Sequence, residues 1–334
     1  MVVSDVTEAS AIVIRDIDRL EELRAIEALQ KEVWGCNDLD VVPLTMLVAT
    51  REVGGVLIGA YDRSELVGFV YGFPGYEDGR ATHHSHMLAV KPAYRNHHLG
   101  YKLKLAQREA VLAQGIERIT WTFDPLQSLN AYFNFAKLGV VADTYKINFY
   151  GEATSSFLHQ LGTDRLWVSW ILNSERVRGR LEPEKKELRF ALEGIPSLVQ
   201  VGNGDKPVRN DSTKILKQGH LLIEIPADIN ALQDQRTELA VEWREATRWA
   251  FMKAIAAGFL VEEFLRFAKN DRMIGTYILS KRKKLADILF SFTPRLQPGD
   301  TREGSGSALN RFNGNYISGS PDHANCILRR RRQM

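Results

Sequence analysis

The chain is 334 residues long, 44% hydrophobic and 25% charged, proportions that predict about two soluble globular domains and exclude collagen, a disulfide scaffold and wholesale disorder. Its net charge of +3 is concentrated from Thr301 onward, where Arg302, Arg311 and Arg329 to Arg332 outnumber Glu303 and Asp322, so no basic folded face for nucleic acid is expected. No uncharged apolar stretch approaches the ~18 to 20 residues of a membrane span, the N-terminus lacks a basic stretch followed by an apolar core, and Cys36 and Cys326 make neither a disulfide framework nor a zinc site, which together predict a cytoplasmic protein without a membrane partner.

In chain order, Ile12 to Ile14 reads as a short strand, and Leu20, Leu23, Ile26, Leu29 and Val33 recur at helical spacing. After the turn cluster Trp34 to Asp38, Pro43 opens a second helix that stops at Gly54-Gly55. Val56 to Tyr61 and Leu66 to Phe73 flank Asp62-Arg63-Ser64-Glu65 as a hairpin. His84 to Val90 is a third sheet strand, ended by Lys91-Pro92. A helix from Gly100 to about Gln114, a strand Ile119 to Phe123, a helix Asn130 to Leu138 and an extended segment Val140 to Tyr150 follow. The order is strand, two helices, three strands, helix, strand, helix, strand: an α/β chain with a mixed sheet and helices on its faces.

Beyond this lie a strand at Leu166 to Leu172 and a charged connector from Ser174 to Arg189. Leu221 to Ile225, a helix through Leu239, Trp243, Ala246, Ala250 and Ala254, a Gly258 stop and a strand at Val261 to Phe267 come next. Set beside Met87 to Phe123, this stretch repeats a strand–loop–helix–strand order, which fits either a degenerate half-repeat or convergent α/β patterning. From Phe292 the chain is rich in Gly, Ser, Asn and Arg and poor in apolar residues, a composition that predicts disorder. The expected division is 1–151, 152–284 and a tail at 285–334.

The segment His84-Ser85-His86-Met87-Leu88-Ala89-Val90-Lys91-Pro92-Ala93-Tyr94-Arg95-Asn96-His97-His98-Leu99-Gly100 carries the chemistry. A strand running through a polar loop into a helix offers backbone N–H groups and a positive dipole end to an anion, and a diphosphate fits there. Leu88, Val90, Arg95 and Gly100 fall in register with the strand and Arg-x-x-Gly-x-Gly loop of the GNAT N-acetyltransferase superfamily, which the chain resembles over Ile12 to Tyr150. More narrowly it resembles a group of long bacterial predicted acetyltransferases, through Thr122-Phe123-Asp124-Pro125-Leu126 and Lys137-Leu138-Gly139. The resemblance implies the GNAT fold with a C-terminal α/β extension, and an acyl-CoA cosubstrate held by Leu88, Ala89, Val90, Arg95, Asn96, His97, His98, Leu99, Gly100, Tyr101 and Asn130. One departure stands out: His98 occupies the position of the superfamily's first loop glycine, where its Cβ resists any positive φ the loop demands.

Alternation along the strand puts His84 and His86 on one face with Leu88 and Val90, and His83 and Ser85 on the other. The His-x-His spacing resembles aralkylamine N-acetyltransferases, and an imidazole is suited to take a proton from an amine before it attacks a thioester. The same spacing fits a structural, hydrogen-bonded pair. A metal site is not expected, since neither a carboxylate nor a cysteine lies at ligand spacing. The superfamily's thiolate-protonating Tyr falls on Phe135, leaving Tyr132, about one turn earlier, as substitute acid; Asp38 and Asp40 are further candidates for the base. Ser128 and Asn130 either cap their helix or touch the CoA arm. Together these features predict an acyl-CoA-dependent N-acyltransferase, acetyl or succinyl, acting on a small-molecule amine or amino acid. The alternatives are an acyl-CoA-binding module of weak turnover and a C-terminal half that serves as a dimerisation or lid element in a homodimer.

Overall fold

Continuous apolar runs, buried on both faces, fold Val56–Asp62 (β2) and Glu65–Glu77 (β3) into an antiparallel hairpin turned at Arg63, whose φ is 56°. The computed structural model describes residues 12–151, 161–182 and 192–281. Val13–Asp16 (β1) pairs with β2 at one sheet edge. Leu20–Trp34 (α1) ends where Gly35, at φ 64°, donates its N–H to the Lys31 carbonyl. With Leu44–Glu52 (α2), it covers one sheet face and buries Leu23, Ile26, Leu29 and Leu47 against Leu57, Phe69 and Tyr71. Arg80–Val90 (β4) is antiparallel to β3, and a 3₁₀ turn at Pro92–His97 leads into Leu99–Ala113 (α3) on the opposite face.

Arg118–Phe123 (β5) lies parallel to β4. Ser128–Ala131 (α4) continues as a π-helical turn, Tyr132–Leu138, and stops at Gly139, φ 75°. Val141–Lys146 (β6) is shorter than the extended segment expected to reach Tyr150. The strand expected at Leu166, observed as Arg165–Ile171 (β7), inserts between β5 and β6. The first half of the sheet therefore draws on residues past 151, and the described residues belong to one compact unit within 1–293. In the charged connector, Glu175–Leu181 (α5) is a short helix capped by Ser174, whose Oγ accepts from the Val177 N–H.

The second half holds Ser197–Val201 (β8), Pro207–Arg209 (β9), His220–Pro226 (β10), Ile229–Gln235 (α6), Thr237–Ala256 (α7), Phe259–Lys269 (β11) and Arg272–Lys281 (β12). Strands β8, β9 and β12 lack an expectation from sequence. The tail from 285 and Cys326 lie outside the described residues.

Among the described residues the strands form one sheet in the order β1-β2-β3-β4-β5-β7-β6-β11-β12-β10-β8-β9. The repeat read from spacing set β4–α3–β5 beside β10–α7–β11, but β4 and β5 are direct neighbours whereas β12 separates β10 from β11. The topology matches a different unit. Both β5–α4–β6–β7 and β10–α7–β11–β12 insert their last strand between the first two, and each has a parallel neighbour outside it, β4 or β8. The two runs meet head to head where Ala142 of β6 pairs antiparallel with Val261 of β11. Outward from that junction the orders β6-β7-β5-β4 and β11-β12-β10-β8 correspond, the pattern a local two-fold axis produces.

Candidate active site

Pairing between β4 and β5 is confined to His83↔Ile119 and His84↔Thr120. Beyond that point Ser85–Val90 and Trp121–Phe123 are not paired with each other, so a cleft opens toward the C-terminal ends of the two strands. A bulge sits at its apex: Ser85 pairs with Gly72 and Met87 with Tyr71, leaving His86 as the extra residue. An extra residue reverses the alternation beyond it. Leu88 and Val90 consequently join His83 and Ser85 on the α3 side, while Met87 and Ala89 lie on the α1/α2 side. The expected grouping of His84 and His86 with Leu88 and Val90 is thereby corrected.

His84 and His86 do share a face, that of α1 and α2, with ring centroids 6.3 Å apart. His84 stacks on Trp167 of β7 at 5.0 Å and places Nδ1 3.2 Å from Thr120 Oγ1. His86 meets Tyr71 edge-to-face at 5.9 Å and lies tilted against Phe73 at 5.8 Å. Phe149 packs on Trp167, and the Tyr150 hydroxyl lies 3.3 Å from Thr122 Oγ1, extending the aromatic wall. Removal of water holds the His84 pKa down at about 4, with the nearby His86 and Lys104 adding to it. His86 is exposed, and the protein surrounding its ring lowers its pKa as well. Both rings are uncharged at neutral pH.

On the α3 side the polar loop closes over the helix N-terminus. His98 adopts φ 56°, ψ 19°, the left-handed conformation that the glycine position demands. His97 and His98 are exposed, Leu99 is buried, and Tyr101 is half-buried against the core. Arg95 is exposed, with Nε 3.4 Å from the Val90 carbonyl. A Cβ built on Gly100 would come no nearer than 3.8 Å to any side chain, that of Leu88. There is room above the helix end, and a diphosphate fits the N–H groups of its first turn. Asn96 contributes its backbone to this loop.

Beneath the cleft, sequence reasoning missed a buried polar group. Lys104 of α3 donates from Nζ to Ser85 Oγ at 2.7 Å and to Gln107 Oε1 at 3.2 Å, and lies 3.8 Å from the centroid of the Trp121 ring. Burial lowers its pKa to about 7. His83, fully buried beside Gln107, is pushed down to about 3 by burial, with Lys104 and His84 adding to it. The signal was present in the sequence: Lys104 falls on the inward stripe with Gln107 and Val111 at helical spacing.

The remaining expected residues are dispersed. Tyr132 is half-buried on the α3 side of the sheet, across from His84 and His86, with Lys137 Nζ 5.4 Å from its ring centroid. Phe135 is fully buried between Phe123 and Tyr277. Asn130 is exposed on α4. Ser128 is buried, and the α4 cap position belongs to Gln127, so the expected Ser128 cap is not formed. Asp38, exposed, pairs with Lys31, and Asp40 is exposed in the turn before α2. Among the described residues, no group of three His, Cys, Asp or Glu could hold a metal ion.

This arrangement of cleft, bulge and helix N-terminus coincides with a family match: residues 20–139 fit the model of the acetyltransferase (GNAT) family. The chain carries a GNAT acetyltransferase domain. No curated protein matches it. Among solved structures, similarity extends to a putative GNAT acetyltransferase from Desulfovibrio desulfuricans, 14% identical, covering 48% of this chain and 99% of the other with a TM-score of 0.40. The ribosomal-protein-S18-alanine N-acetyltransferase of Escherichia coli is 12% identical over 49% of this chain and 96% of its own, TM-score 0.40. Aminoglycoside 6'-acetyltransferase type Ii is 21% identical over 48% and 98%, TM-score 0.40. Within this chain the GNAT match stops at residue 139, before β6 and β7 complete the sheet.

Proposed function

We propose that the chain is an acyl-CoA-dependent N-acyltransferase acting on the amine of a small molecule or amino acid. The observation that carries this reading is the end of β4/β5 pairing at His84 and Thr120, with imidazoles on one face and the α3 N-terminus on the other. The two reactants then have separate entrances. Acyl-CoA enters from the α3 side, with diphosphate on the loop Arg95 to Gly100 and the thioester along Met87 to Val90. The amine enters past Tyr71, Phe73, Trp167 and Phe149, an aromatic wall suited to an acceptor with an apolar body.

The amine nitrogen attacks the thioester carbonyl, backbone N–H groups near Leu88 to Val90 stabilise the oxyanion, and the C–S bond breaks. With Nδ1–H donating to Thr120 Oγ1, His84 presents Nε2 as the proton acceptor, and His86 assists directly or through water. Tyr132, on the thioester side, is the candidate donor to the departing thiolate. Mass-spectrometric screening of amines and amino acids against acetyl-CoA and succinyl-CoA tests the reading. With an accepted substrate, His84→Gln plus His86→Gln should lower turnover by about 10²-fold or more and change acyl-CoA affinity by a few-fold at most. Normal turnover in a folded double variant makes the pair structural.

Two observations favour the weaker alternative of a binding module: His98 stands in the loop's left-handed position, and Phe135 is sealed in the core. Thermal stabilisation by acyl-CoA with no CoA release across the amine panel would select it. A homodimer remains the proposal for assembly, checked by light scattering.

A further inference from the structure

Lys104 is anomalous for a buried lysine. Among the described residues its Nζ has a hydroxyl, an amide oxygen and an aromatic face as partners, and no carboxylate pairs with it. Burying an ammonium ordinarily requires a compensating anion. Its position is informative as well. Ser85 and Trp121 are the first residues of β4 and β5 beyond their last pairing, and Nζ touches both. The ammonium therefore marks the apex of the cleft, on the α3 side. Trp121 continues this floor to the helix after β5, donating Nε1–H to Asn134 Oδ1 at 3.3 Å. A thioester lying along β4 with its diphosphate at Gly100 points its acyl end toward this apex, because β4 runs from Val90 beside the loop back to Ser85 at the apex, about 16 Å of strand.

We propose that Lys104 receives the distal carboxylate of a dicarboxylic acyl donor, so that this chain transfers a group of the malonyl-to-succinyl class. The inference rests on the acyltransferase reading and specifies its donor. Ser85 Oγ and Gln107 hold the ammonium in place, and the incoming carboxylate supplies the missing counter-charge. In the transfer step the amine nitrogen forms a bond to the acyl carbon as the C–S bond breaks. One amine proton leaves through His84, the thiolate takes a proton to become CoA thiol, and the distal carboxylate passes unchanged into the amide product.

Binding of CoA, acetyl-CoA, butyryl-CoA and succinyl-CoA to the full chain by calorimetry tests this without knowledge of the acceptor. Butyryl-CoA matches succinyl-CoA in chain length but lacks the charge. The wild type should bind succinyl-CoA at least about tenfold more tightly than butyryl-CoA or acetyl-CoA, the effect of one charge-assisted contact. Lys104→Met should abolish that preference. If it does not fold, the wild-type comparison of succinyl-CoA with butyryl-CoA decides alone. Equal affinities in the wild type overturn the donor assignment and leave the acyltransferase reading standing; failure of every CoA species to bind overturns both. A turnover loss in Lys104→Met that is equal for acetyl-CoA and succinyl-CoA also overturns it, since the lysine would then serve the common leaving thiolate.

Discussion

His98 demonstrates the cost of a side chain where the backbone demands glycine. Its φ of 56° sits next to the α3 N-terminus, where the loop turns before the helix begins. A Cβ in that region costs about 1 kcal/mol. His98→Gly should therefore raise unfolding stability by about 0.5 to 1 kcal/mol, measured in urea, and should preserve or improve CoA affinity. A destabilised His98→Gly would show that the imidazole makes a stabilising contact exceeding this backbone cost. The buried histidines give a second residue-scale prediction. In the unfolded chain His84 takes up a proton near its ordinary value of 6.5, whereas in the fold it does so only at about 4. The unfolded state binds more protons between those values, so stability falls as pH drops from 6.5 toward 4. His83, held at about 3, acts in the same direction over a wider window. Urea unfolding at pH 7 and pH 5 should show the loss, and His84→Gln should reduce it. A pH-independent stability would mean that both rings gain compensating contacts on protonation.

The elements around the site were largely legible because each combines a clear period with clear punctuation. Apolar spacing and Gly35 define α1, Lys91-Pro92 ends β4, and Gly115 follows α3. The bulge at His86 was not legible, since an extra residue in one strand is defined only by its partner's register. That is why the shared face of His84 and His86 was foreseen and their separation from Leu88 and Val90 was not. The tie between α7 and the first half of the sheet was equally hidden, because it joins residues 120 positions apart. Arg244 grips Asp124 with two bonds of 2.8 and 2.6 Å just beyond β5, and both groups are nearly buried. Removing one partner strands the other charge, so Arg244→Met should cost about 3 to 5 kcal/mol in unfolding stability. Adding Asp124→Leu should recover most of that loss, though not all, because Asp124 Oδ1 also accepts the Leu126 N–H. A double variant as unstable as the single one would place the cost in packing rather than in the unpaired carboxylate.

At the scale of the molecule, the family match covers residues 20–139, yet the fold does not stop there. Several independent contacts bind the halves together. Tyr277 of β12 donates to the Pro125 carbonyl at 2.7 Å and packs its ring against Phe135; Tyr145 of β6 stacks on Phe251 of α7 at 5.6 Å. Arg248 of α7 bonds Asp164, a fully buried carboxylate ahead of β7, at 2.7 and 3.0 Å. A chain ending after Leu172 would keep every residue proposed to contact the substrates. It would nevertheless uncover Phe135 and Tyr145, leave Asp124 and Asp164 without their arginines, and expose the edge of β6 that pairs with β11. An unpaired edge beside apolar surface promotes association between copies. We therefore expect the 1–172 chain to aggregate or to unfold at a markedly lower temperature than the full chain, as read by calorimetry and light scattering. A monomeric 1–172 chain with full thermal stability and undiminished acyl-CoA affinity would refute that expectation and identify the second half as an appendage. If the truncated chain instead forms a defined dimer through β6, a second copy has taken the place of β11, the strand that the two-fold pattern of the sheet makes its counterpart.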